Sequence, residues 1–205
     1  MDDINLFIFN AITKDLLMKN ILLFMLLCVC FCLHAQDHLT FRGIPIEGSM
    51  TDFCQKLKAK GFTQVGKDRN ITLFNGDFTG RQATIGVGAS DDSKNVFSVV
   101  VLFDPSGEWN NLISTYDYYK ELYTRKYGEP KISKETNPSH SDSNTALMAE
   151  VHEGTVVYVS AWTVPGGNIQ LSIEKSSGVY EGMVMIRYQD SQNVEAKIKR
   201  DLEEI

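Results

Sequence analysis

Cysteine is scarce in this 205-residue chain, and its placement is uneven. Of the four cysteines, Cys28, Cys30 and Cys32 fall in one apolar run near the N-terminus. If that run is removed on export, Cys54 alone remains, which excludes a disulfide framework and leaves the fold to its hydrophobic core. Basic clusters are also missing. The formal charge is −6 and nowhere do five or six Lys or Arg residues gather, so the electrostatic footprint of nucleic-acid binding is absent. Long apolar runs are missing too: Ile21 to Leu33 stops at about a dozen residues, short of the roughly 20 that a membrane-spanning helix requires. No stable span is expected in the mature chain.

Reactive motifs are equally sparse. There is no Gly-x-Ser-x-Gly elbow, no Walker A loop and no dinucleotide fingerprint. Outside the leader the histidines are His38, His140 and His152, and no two have the spacing of metal ligands, so neither a metal nor another cofactor is expected. The acid pairs Asp91-Asp92 and Glu203-Glu204 read as solvated charge. A hydrolase built from dispersed residues stays open as a competing reading, with Cys54 as nucleophile and His152 as base. Against it, Cys54 lies on an apolar face beside Phe53 and Leu57, where a buried and inert thiol is expected.

What is present begins with an address. Ile21 to Leu33 followed by Leu-His-Ala-Gln has the form of a secretory signal, with small Ala35 before the cleavage point. The positive start of such a signal appears only at Lys19, whereas Met1 to Leu17 carries Asp2, Asp3 and Asp15. Residues 1–17 therefore read as an upstream extension, 18–35 as the signal peptide, and 36–205 as one α+β domain that is secreted and periplasmic. None of the leader cysteines follows a small residue, so lipidation is not expected.

With 43% hydrophobic and 22% charged residues, the composition is that of a globular domain. A short strand at Leu39 to Phe41 breaks at Gly43 and Pro45, and Ser49 caps a helix running to Lys60, closed by Gly61. Alternation from Ile71, with Asn75-Gly76 as a hairpin turn, continues through Arg81 to Val87. Val96 to Phe103 is apolar on both faces, which marks a central or doubly covered strand. A long helix follows from Glu108 to Lys126, its stripe formed by Trp109, Leu112, Tyr116, Tyr119 and Tyr123, with Tyr118 and Leu122 on the opposite side. Lys131 to Asn144 reads as a mobile loop. The strands Thr145–His152, Thr155–Val164, Asn168–Lys175 and Val184–Gln189 come next, with turns at Glu153-Gly154 and Pro165-Gly166-Gly167. The final helix, Ser191 to Glu204, puts Val194, Ile198, Leu202 and Ile205 on one face.

The order β-α-β-β-β-α-β-β-β-β-α, with helices between hairpin-linked runs, gives an α+β fold with antiparallel sheet. Its two runs, 39–104 and 105–205, leave a tandem repeat of helix plus strands open.

The string Phe41-x-Gly43-Ile44-Pro45-Ile46-x-Gly48, followed by a helix ending Leu57-x-x-Lys60-Gly61-Phe62, resembles the start of uncharacterised secreted proteins of Bacteroides-type gut bacteria. That group brings no activity with it. In layout the chain is also similar to the tandem repeats of the beta-lactamase inhibitor protein and the small lipoprotein of outer-membrane assembly, a likeness of fold that carries no functional residue across. The expectation is a non-catalytic binding protein whose partner is another envelope protein or a small ligand. Its surface is expected around Trp162, Asn168 and Tyr118, because exposed aromatics dominate interfaces. A carrier with an apolar pocket against the Trp109–Tyr127 helix is the third reading.

Overall fold

The computed structural model describes residues 38–205 except 92, 93 and 204. The extension at 1–17, the signal at 18–35 and the cleavage point at Ala35-Gln36 lie outside the described residues, as do Asp92 and Glu204.

Strands β1 (Thr40–Phe41) and β2 (Ile44–Pro45) form a two-residue ribbon ahead of helix α1 (Met50–Ala59). Ser49 caps α1 as expected, its Oγ accepting the Asp52 N–H at 3.2 Å. At the far end Gly61, at φ 91°, lets its own N–H and that of Phe62 return to the carbonyls of Lys58 and Leu57 at 3.0 and 3.2 Å. This Schellman closure turns Phe62 into the core.

Strands β3 (Thr63–Asp68), β4 (Ile71–Phe78), β5 (Arg81–Ala89) and β6 (Val96–Phe103) then form a meander. Helix α2 (Trp109–Tyr127) leads into a second one, made of β7 (Ile132–Thr136), β8 (Val157–Val164), β9 (Gly167–Lys175) and β10 (Gly182–Asp190), with helix α3 (Asn144–Glu153) inserted after β7. Helix α4 (Ser191–Glu203) ends the chain. The meanders join last strand to last strand, giving one eight-stranded antiparallel sheet in the order β3-β4-β5-β6-β10-β9-β8-β7. The class is α+β with antiparallel sheet, and residues 38–205 form one compact unit.

Four local expectations are corrected. Thr145–His152 is helix α3: Leu147, Met148 and Val151 fall on one buried face at helical spacing, and Gly154 at φ 73° is its C-cap, not a hairpin turn. Ile132–Thr136, expected within a mobile loop, is an edge strand. It has no apolar face and owes its state to pairing with β8, which no side-chain period announces. Thr63–Asp68, not expected as a strand, is the opposite edge. Both edges carry charge, which discourages pairing with other chains. Finally, Asn75-Gly76 lies inside β4. The hairpin turn is Thr79-Gly80, with φ of 54° and 82°, between the paired residues Phe78 and Arg81.

Helices α1, α2 and α3 cover one face of the sheet. Phe74, Ile85, Val101, Ile186 and Leu171, each buried and aligned across β4, β5, β6, β10 and β9, are the sheet's contribution to that core. Aromatic rings close it at one end, with Phe41 stacked on Phe78 at 5.8 Å and Phe103 on Tyr119 at 4.6 Å.

Candidate functional site

Alternate residues of the same strands point the other way, and among the described residues no helix covers the middle of that second face. The registers align Leu73 with Gly86, Gly86 with Val100, Val100 with Arg187 and Arg187 with Gln170. Toward β4, β5 and β6 this face is apolar, carrying Ile71, Leu73, Phe97, Val100, Leu102 and, on β10, Met185. Toward β9 and β8 it turns polar, with Ser172, Gln170, Asn168 and Thr163. The apolar part forms an open trough of about 660 Å³, edged by Asp91, Arg187 and by Lys197 of α4.

Two glycines flatten the trough. A Cβ on Gly86 would meet only Leu73 and Val100, at 3.7 and 4.0 Å, and one on Gly88 would meet nothing nearer than 3.7 Å. Neither glycine has a positive φ. The fold therefore does not require glycine at either place, although glycine weakens a strand. What the pair does is remove side chains from a sheet face: Gly86 lies buried between Leu73 and Val100, and Gly88 is partly exposed.

The three residues expected at a recognition surface are not brought together. Trp162 is buried on the helix-covered face, 2% exposed, its indole N–H donating to the Gly128 carbonyl at 2.9 Å and its ring 5.5 Å from that of Tyr123. It is a core residue and is unavailable to a partner. Tyr118 is 41% exposed on α2, set edge-on against Tyr119 and beneath the Arg81 guanidinium at 5.5 Å. Asn168 alone belongs to the bare face, at its polar end, where its Oδ1 accepts a hydrogen bond from Thr163 at 3.0 Å. The trough residues were not singled out from sequence. Their one trace there is the apolar character of both faces of Val96 to Phe103: the strand is central, but among the described residues elements cover only one of its faces.

The dispersed hydrolase site does not assemble. Cys54 is buried on α1 and its thiol is bonded to Thr72 of β4. His152 ends α3 with its ring 5.1 Å from Tyr180, beside the β9–β10 loop. Four strand spacings, roughly 19 Å, separate β4 from β9. Burial raises the Cys54 pKa, outweighing the Thr72 bond and the charges of Lys58 and Lys67, whereas a nucleophilic cysteine needs the opposite shift. Among the described residues no cluster of His, Cys, Asp or Glu has the makings of a metal site, and no helix is long and apolar enough to cross a membrane.

No protein-family model, no curated protein and no solved structure matches this chain.

Proposed function

We propose that this is a non-catalytic binding protein of the bacterial envelope, exported by the leader at 18–35, which holds a protein partner against the bare face of its sheet. The observation that supports this most is the trough over β4, β5 and β6, with Gly86 and Gly88 at positions where the fold accepts larger residues. An uncovered apolar sheet face rimmed by charge has the character of a protein-binding surface. Its flatness fits a protein side better than a small molecule, which needs concavity on several sides.

A photo-crosslinking amino acid placed at Val100, and a second placed at the solvent face of α1 at Lys56, test the reading in envelope extract. Crosslinked species are expected from position 100, absent from position 56, and lost when Gly86→Val fills the trough. Identical products from both positions would overturn it. N-terminal sequencing of the exported protein tests the leader separately, with Gln36 as the expected start.

A further inference from the structure

On the helix-covered side a second concavity opens between the β1–β2 ribbon and α2. It measures about 340 Å³, at the small end of ligand sites. Phe78, Tyr119, Leu122, Tyr123 and Tyr188 give it aromatic and aliphatic walls, and Arg42 and Lys126 stand at its mouth. Arg42 lies over the Phe62 ring at 5.9 Å and Lys126 over the Tyr127 ring at 4.8 Å, and neither has an ion-pair partner among the described residues. No carboxylate is among the described lining residues.

The hydroxyl groups of Tyr123 and Tyr188 add a polar feature to this apolar surface. They are bonded to each other, and both residues are more than nine-tenths buried. Such a pair holds two protons, one of which lies between the oxygens. No described residue accepts the second. Burial, the largest cause in both, raises both pKa values, so the pair stays protonated and is a donor at neutral pH. By contrast the Tyr119 hydroxyl is already engaged, by Thr79 at 2.7 Å and by the Phe78 carbonyl at 3.2 Å. A buried donor without an acceptor is costly unless a ligand or water completes it.

We infer that this cleft is a binding site for a small organic anion with a flat apolar body, such as an aromatic monocarboxylate. The aromatic walls accommodate the ring, the Tyr123–Tyr188 pair donates its second proton to an oxygen of the ligand, and Arg42 and Lys126 complement the negative charge. The site is separate from the bare sheet face, so it stands or falls independently of the proposed partner binding.

Calorimetric titration of the exported domain with 2-naphthoate, and with neutral 2-naphthalenemethanol, tests the site. Saturable naphthoate binding is expected, with the alcohol weaker. The double variant R42Q/K126Q changes only exposed side chains. It is expected to weaken naphthoate by about tenfold while leaving the alcohol unchanged, the size of two partly screened rim charges. Leu122→Trp, which narrows the cleft, is expected to reduce both ligands, with an unchanged melting temperature as the check on folding. Absence of saturable binding to the wild-type protein, equal affinity for the two probes, or naphthoate binding untouched by R42Q/K126Q would each overturn the inference.

Discussion

Asp190 is fully buried, yet each of its oxygens is in use. Oδ2 accepts the Leu39 N–H at 2.9 Å and the His38 Nδ1 at 3.0 Å, while Oδ1 accepts the Asn193 N–H at 3.0 Å and so caps α4. One side chain thereby ties the start of the folded unit to its end. Asp190→Ala leaves two backbone donors unsatisfied and is expected to cost about 3–5 kcal/mol in urea denaturation, since hydrogen bonds to a charged acceptor contribute about 1.5–3 kcal/mol each and are not additive. Gly76 makes a different demand. A Cβ there would run into the Phe62 ring. Gly76→Ala is therefore expected to destabilise by about 1–3 kcal/mol through overpacking. Combining it with Phe62→Leu is expected to cost less than the sum of the single variants, because the two residues share the space. At Cys54 the raised thiol pKa and burial predict slow reaction with a disulfide reagent in the native state and fast reaction in urea.

Among the elements, α4 stands apart. Its stripe of Val194, Ile198 and Leu202 has helical spacing, but none of its described residues is buried, and Ile198 and Leu202 are 52% and 61% exposed. Ile198→Ser and Leu202→Ser are expected to change stability by no more than about 0.5 kcal/mol. Ile186→Ala, in the middle of β10 and fully buried, is expected to cost about 2–5 kcal/mol in the same denaturation experiment. For α1 the N-cap is the weak point: Ser49→Ala removes the acceptor for Asp52 N–H and is expected to cost about 1 kcal/mol.

At the scale of the whole molecule, the seam between β6 and β10 makes the two meanders one sheet, with Val101 and Ile186 paired and buried across it. A single cooperative unfolding transition is expected, and neither half, 39–104 or 105–205, is expected to fold alone, because each would expose an apolar strand edge. Alkaline pH attacks the core more directly. Desolvation raises the pKa values of Tyr116, Tyr123 and Tyr188 above the ordinary 10.0, with Tyr116 also opposed by its bond to Ser160. Unfolded tyrosines release protons that the folded protein retains. Stability is therefore complete below about pH 10 and falls above it, toward the raised folded values. Tyrosinate absorbance and circular dichroism are expected to change together, and Tyr123→Phe is expected to make the fall shallower.

Much of this was legible along the chain. Ser49, Gly61 and the Met50–Leu57 spacing specify α1 by local hydrogen bonds and one apolar face, and the stripe from Trp109 to Tyr123 does the same for α2. Antiparallel strands followed from the alternation of β4, β5 and β9, and the α+β class from their order. Elements that owe their state to neighbours could not be read this way. β7 has no buried residue and exists through its ladder with β8, and Gly76 marks the space for Phe62 in place of a turn. The candidate sites are non-local in the same sense. Leu73, Gly86, Val100 and Met185 share a face only because four strands pair side by side, and Arg42 lines the same cleft as the Tyr123–Tyr188 pair only because the N-terminal ribbon faces α2 across it. Sequence by itself determined α1, α2, α4 and the class of fold, since those rest on patterns within a few residues, whereas the α3 segment reads as a strand despite its Gly154 cap. The bare face of the sheet, the burial of Trp162 and the cationic aromatic cleft were decided by tertiary structure, because side-chain period says that a strand has two faces but not which of them the rest of the chain will cover.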